Sequence, residues 1–346
     1  MKQNLTVNLQ GLLVITIDSG LEITNRIDEF LRSFDSKEKS AYQRITIKKV
    51  QALPTSLHRE YSDNIYINSE SLIDLNYGIE VILKENEIIL NTKYRYIEWL
   101  MYMIQIALLR TDSVLIHGAA VAKNGKAILF PSWGGVGKTA ILNDFVKKYN
   151  YQVIGDDLFI LTKNGKILSF PKPMVLYPYH KNLFPDLFKK SPTLLPDALN
   201  KTVSRLVPKI KKLLSPFPIL MNFARNNNPQ VKWALPTEVF GVENIANETD
   251  VERVYWLERF KGETVRNDCN DAIFSQILGS TVNEFDQRVV FCVNILMGLG
   301  VLDNKVYLIK WDQVLRNGLE KAKKGKINIS SEVSIDEIGS LVHQML

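Results

Sequence analysis

Residues 132–139, SWGGVGKT, constrain the fold of this 346-residue chain more than any other feature. They follow the apolar run AILFP directly and precede the helix-forming run TAILNDFVKKYN. A glycine-rich turn between a strand and a helix lets backbone N–H groups point inward as an anion nest, and the helix N-terminus adds its positive end. In that setting Lys138 reaches the β- and γ-phosphates of a nucleotide, and the Thr139 hydroxyl is placed for Mg²⁺. Ser132, Trp133, Gly134, Gly135, Val136 and Gly137, with Ala140 opening the helix, complete the expected nucleotide-contacting segment. One departure stands out against G-x-x-x-x-G-K-[ST]: Ser132 occupies the first glycine position. The bland alternative is a glycine-rich turn capping a helix, with Lys138 in solvent.

Two further features point to the same chemistry. Beyond the helix, the run YQVIG ends in Asp156 and Asp157. An apolar strand ending in carboxylates beside a phosphate loop is how such enzymes hold Mg²⁺, and a second carboxylate can take the proton of an attacking hydroxyl. Adjacent strand residues face opposite ways, so both reach one site only where the strand ends and the chain turns. Their protonation is then coupled. His117 lies in VLIHGAAV, and an Asn124-Gly125 turn pairs that strand with the one feeding the loop. A histidine there can orient a carboxylate or contact a phosphoryl group. Its structural alternative is an imidazole satisfied by a backbone partner.

The rest of the sequence sets the frame. Hydrophobic residues at 46% and charged residues at 23% exclude a disordered or collagen-like chain. Residues 97–109, with Glu98 and Gln105 among them, are too short and too polar to span a bilayer and read as a buried helix. Two cysteines make neither a disulfide framework nor a CxxC metal site, and the N-terminus lacks a secretory pattern, so a cytoplasmic protein is expected. Residues 1–95 alternate apolar runs with polar turns, with helix signal at 27–34, and read as a strand-rich accessory domain. Residues 96–346 read as an α/β domain, with a second Asn-Gly turn at Asn164-Gly165, a strand at RVYWLERF and helices at 286–299 and 311–323. A basic, proline-rich insertion is expected at about 185–230.

The net charge of +6 is mild, and no nucleic-acid partner is expected. The excess is local: eight basic residues lie between Lys189 and Arg225 against Asp197 alone. Residues 199–214 are amphipathic, a pattern that suits an acidic partner, an anionic membrane surface or a solvated lid.

The run HGAAVAKNGKAILFPSWGGVGKTAILNDFVKKYNYQVIGDDLFIL resembles the catalytic core of the HPr kinase/phosphorylase family. That family has a histidine-bearing strand, a hairpin, a phosphate loop, a helix and a strand ending in Asp-Asp. The resemblance implies a P-loop α/β core that uses ATP or GTP with Mg²⁺ to phosphorylate a hydroxyl. Catalytic roles are implied for Asp156, His117 and Lys138, and metal roles for Thr139 and Asp157. Asp156 is then the base and Asp157 the metal ligand, with the two roles exchangeable. The family loop begins with Gly and has Ser two residues on, where this chain has Ser132 and Gly134 around Trp133. After the acidic pair it reads SFPKPMVLYPYH in place of the glycine-rich segment of true HPr-phosphorylating members. The pattern is more similar to divergent members from peptide biosynthetic clusters, so a peptide, protein or small-molecule hydroxyl is the expected acceptor. A homo-oligomer accords with the resemblance. A nucleotide-binding scaffold with a degraded loop, or an NTPase or phosphorylase, are the alternatives.

Overall fold

The computed structural model describes residues 4–21, 41–62, 64–93, 96–170, 172–189, 231–268, 271–303 and 305–346. The helix expected at 27–34 and most of the expected insertion, including 199–214, lie outside them. The chain divides into two compact units: Met1–Pro173 with Leu235–Leu346, and Met174–Ala234. The described residues before 96 build a sheet of their own, and they group in the first unit with the chain that follows.

The strands are β1 (Leu5–Leu9), β2 (Leu13–Ile17), β3 (Gln43–Lys49), β4 (Arg59–Ser62), β5 (Ile65–Ile67), β6 (Ser71–Asp74), β7 (Ile79–Leu83) and β8 (Glu87–Thr92). They continue with β9 (Ser113–Lys123), β10 (Lys126–Pro131), β11 (Gln152–Gly155), β12 (Leu158–Thr162), β13 (Lys166–Ser169), β14 (Met174–Leu176), β15 (Lys232–Ala234), β16 (Glu248–Phe260), β17 (Val265–Asp268) and β18 (Lys323–Ser330). The helices are α1 (Ile97–Arg110), α2 (Lys138–Tyr149), α3 (Pro185–Lys189), α4 (Pro236–Phe240), α5 (Ala272–Asn283), α6 (Gln287–Gly298), α7 (Lys310–Gly318) and α8 (Ile338–Gln344). The result is a mixed α/β fold with two large sheets.

The first sheet runs β1-β2-β3-β8-β7-β6-β5-β4, parallel at β2/β3 and β3/β8 and otherwise antiparallel. Helix α1 packs against it on one side and against β9 on the other. That position explains why α1 is apolar nearly all round: ten of its residues are buried. Its one mid-helix amide, Gln105, is used, because its Oε1 accepts from the Leu115 N–H at 2.7 Å.

In the second sheet the pairings close on themselves. β9 pairs β10 and β12, β12 pairs β13, β13 pairs β16, and β16 returns to β10. β11 adds to β9, while β18 and β17 extend from β16. β9 is the hub, buried along its length except at Lys123, and is covered by α1, α2 and α5. A strand with helices on both faces reads as a continuous apolar run, as VLIHGAAVA does. Both Asn-Gly turns form, with Asn124 at φ +53°, Gly125 at +71° and Gly165 at +81°. The second unit holds the antiparallel pair β14/β15, a 3₁₀ turn at Pro178–His180, and α3.

No helix among the described residues is long and apolar enough to cross a membrane.

Candidate active site

The glycine-rich loop joins β10 to α2, and what positions it is a close approach of two strands. Gly118 of β9 is paired with Pro131 of β10. A Cβ on Gly118 would lie 2.8 Å from Pro131 Cα and 2.9 Å from the Phe130 carbonyl oxygen, so only glycine fits. The end of β10 is thereby drawn in beside His117. Ser132, at the place of the first glycine, is fully buried and bridges in parallel to Leu257 of β16. Trp133 is 44% exposed and meets buried Trp256 edge-on, with ring centroids 6.2 Å apart. Val136 and Ala140 are buried apolar residues.

Gly135 at φ +80° and Gly137 at φ +108° bend the loop into α2, and Gly137 serves as its N-cap without a side-chain partner. The first amides of the helix therefore have no intrahelical acceptor, which leaves them for an anion. Helix α8 packs on α2: a Cβ on Gly137 would lie 2.6 Å from Ile338 Cδ1, and Ser340 Oγ donates to Asp144 Oδ2 at 2.9 Å.

Lys138 is buried. Its Nζ lies 3.1 Å from His117 Nε2 and donates to the carbonyl oxygens of Trp133 at 3.1 Å and Ser132 at 3.5 Å. Burial lowers the Lys138 pKa, opposed by the charges of Asp157, Asp156 and Glu284. Thr139, next on the helix, donates from Oγ1 to Asp156 Oδ2 at 3.2 Å.

The acidic pair sits where β11 ends and the chain turns into β12, so both carboxylates reach one site, as the spacing requires. Gly155 makes this turn tight, since a Cβ there would lie 2.6 Å from the Leu158 carbonyl oxygen. Asp157 takes φ +79°, a left-handed conformation that concentrates at functional sites in non-glycine residues. Its carbonyl accepts from the Gly118 N–H at 3.1 Å, tying the turn back to β9.

The two aspartates differ in electrostatics. Asp156 is buried, and desolvation, helped by the Asp157 charge, pushes its pKa up to about 6 against the pull of Lys138 and Thr139. Burial also opposes ionisation of Asp157. Lys172 and His117 outweigh it and hold this carboxyl below the usual carboxylate range. Lys172 Nζ pairs directly with Asp157 Oδ2, and His117 Nε2 lies 3.4 Å from Oδ1. Desolvation would lower the Lys172 pKa, yet Asp157, Glu284 and Asp156 raise it.

Three contributors escaped the sequence reading. Glu284, just beyond α5, places Oε1 3.4 Å from His117 Nε2. Thr281 of the same helix accepts the His117 N–H on Oγ1 at 3.0 Å. Lys172 is the third. No local pattern marks the α5 residues; for Lys172 the only cue is its place between Pro171 and Pro173.

His117, Asp157 and Glu284 have ligand-type atoms within 4.8 Å of one another. Two ammonium groups already serve that cluster, Lys138 at His117 Nε2 and Lys172 at Asp157. Asp156 has the Thr139 hydroxyl beside it at 3.2 Å, and among the described residues no ammonium group pairs with it directly. The Asp156 carboxylate and the Thr139 hydroxyl are two neighbouring hard oxygens of the kind Mg²⁺ takes.

By sequence, no family model and no curated protein matches the chain. Among solved structures it is similar to the HPr(Ser) kinase/phosphatase from Coxiella burnetii, at 7% identity and a TM-score of 0.28, over 67% of this chain and 92% of that one.

Proposed function

We propose that this protein is a phosphotransferase that moves the γ-phosphoryl group of ATP or GTP to a hydroxyl of a peptide, protein or small molecule. The observation that carries this reading is the convergence of Lys138 and Thr139, at the start of α2, with both aspartates and His117 in one pocket of charge. A helix-capping turn with a solvated lysine would need none of these contacts.

Thr139 and Asp156 would hold Mg²⁺, which when bound supplies charge neutralisation at the β- and γ-phosphates. Lys138 exchanges the carbonyls of Ser132 and Trp133 for phosphate oxygens. Asp157, kept ionised by Lys172, orients the acceptor hydroxyl and takes its proton late, once that oxygen is bonding to phosphorus and has become acidic. The acceptor oxygen forms its bond to the γ-phosphorus as the bond to the β–γ bridging oxygen breaks, leaving a nucleoside diphosphate. The sequence left the two aspartate roles exchangeable, and the Thr139–Asp156 bond favours this order.

The test uses γ-labelled ATP and GTP with Mg²⁺ and extracts of the host as acceptor source. Asp157→Asn is the first variant, since Asn tolerates positive φ. It should bind Mg·nucleotide like the parent and transfer label about 10²-fold or more slowly. Thr139→Val and Asp156→Asn should instead weaken the Mg²⁺ dependence of binding. Undiminished transfer by Asp157→Asn removes the base assignment, and a parent protein that binds neither nucleotide removes the whole reading.

A further inference from the structure

Lys172 poses a question that phosphate binding by Lys138 does not answer. It stands outside the glycine-rich loop, and its N–H donates to the Phe170 carbonyl at 2.7 Å. Phe170 is buried, so the backbone that carries Lys172 is anchored in the core. Lys172 precedes Pro173, a position whose backbone is restricted. Its ammonium pairs with Asp157 Oδ2, whose other oxygen faces His117.

The charge around this pair explains what it does. Three carboxylates, Asp156, Asp157 and Glu284, meet two ammonium groups, Lys138 and Lys172, and all of them interact electrostatically. An incoming triphosphate adds negative charge to a site already short of positive charge. Lys138, and a metal held by Asp156, would answer the phosphates, while the ammonium in direct contact with Asp157 is that of Lys172. An ionised Asp157 brought up to an anionic γ-phosphoryl group would repel it at short range in a low-dielectric pocket.

We infer that Lys172 is a positioning residue: it orients Asp157 and cancels its charge, so that an anionic phosphoryl group can be brought against that carboxylate. This rests on the phosphotransferase reading and adds to it a residue outside the loop motif. The damage from losing Lys172 then comes from Asp157 and disappears when Asp157 loses its charge.

The probes are Mg·ADP alone and Mg·ADP with aluminium fluoride, a planar anion that occupies the place of the transferring group and needs no acceptor. Their dissociation constants are compared by calorimetry for the parent protein, Lys172→Met, Lys172→Arg, Asp157→Asn and the double variant Lys172→Met/Asp157→Asn. The parent should bind the fluoride complex more tightly than Mg·ADP. Lys172→Met should keep Mg·ADP affinity within about threefold and lose at least about tenfold for the fluoride complex, as an uncompensated charge in a partly buried pair would demand. Lys172→Arg should retain the tight complex. The double variant should regain most of what the single one lost, which a merely structural lysine would not allow.

Equal fluoride affinity in Lys172→Met and the parent overturns the inference, as does a double variant no better than the single. Lys172→Met that has lost Mg·ADP affinity as well assigns the residue to folding and also overturns it. These outcomes leave the phosphotransferase reading standing. A parent that binds no Mg·ADP, or gains nothing from fluoride, sinks that reading and the inference with it.

Discussion

Replacing Gly118 with alanine tests the close approach that places the loop. The added methyl carbon would sit 2.8 Å from Pro131 Cα and 2.9 Å from the Phe130 carbonyl, where carbon contacts normally settle near about 3.5–4.0 Å. Both clashing atoms are backbone, and β9 is buried here, so no side chain can rotate away. Overpacking a well-packed core typically costs about 1–3 kcal/mol, and a backbone clash belongs at the upper end. Alanine returns about 0.5 kcal/mol by narrowing the unfolded ensemble, which leaves a net loss of about 2–3 kcal/mol. Gly125→Ala is the control: nothing lies within 4 Å of its Cβ position, and only its φ of +71° opposes the change, at about 1 kcal/mol. Urea unfolding followed by far-UV circular dichroism, with a common slope, gives both values. Nucleotide affinity should fall in Gly118→Ala and hold in Gly125→Ala, because only the first displaces the strand that delivers Ser132. If Gly118→Ala unfolds at the same urea concentration as Gly125→Ala, the close-approach argument is wrong.

Two other expectations concern stability. Arg288 donates to fully buried Asp74 through Nε and Nη2 at 2.8–3.0 Å, so Arg288→Met should cost about 3–5 kcal/mol by stranding the carboxylate. Adding Asp74→Asn should restore most of it, and an Arg288→Met protein with the parent's unfolding midpoint would contradict this. In the second unit, burial pushes the His180 pKa down to about 4, and its Nδ1 accepts the Tyr177 N–H at 3.1 Å. An unfolded histidine binds its proton near pH 6.5, so between about 6.5 and 4 the unfolded segment holds the extra proton. Local stability is therefore full above that window and declines through it as pH falls, by up to about 3 kcal/mol. Amide exchange around Tyr177, corrected for intrinsic rates, should accelerate between pH 7 and 5, and unchanged protection would refute the assignment.

Much of this molecule was legible in its sequence because the signals are local. The apolar run at 97–109 became α1, and its all-round hydrophobicity follows from lying between two sheets. Asn124-Gly125 and Asn164-Gly165 formed their turns, with Asn124, Gly125 and Gly165 at the positive φ that asparagine and glycine accept. The loop at 132–139, its helix and the Asp156-Asp157 strand end appear in the expected order, since each is set by residues adjacent in the chain. The helix expected at 311–323 is shorter, Lys310–Gly318, and β18 takes over from Lys323 as a parallel partner of β16. That pairing depends on a distant strand and leaves no local trace.

The site divides the same way. Sequence spacing alone selected the glycine-rich loop, Lys138, Thr139 and the aspartate pair, because strand, turn and helix propensities bring neighbouring residues together. Only the tertiary structure decided how the two aspartates differ, since their environments come from other segments: Thr139 beside Asp156, and Lys172 and His117 on either side of Asp157. It also decided that Glu284 and Thr281 of a remote helix close over His117. Electrostatic environment acts through space and depends on which charges the folded chain places within a few ångströms, a quantity that no stretch of neighbouring residues encodes.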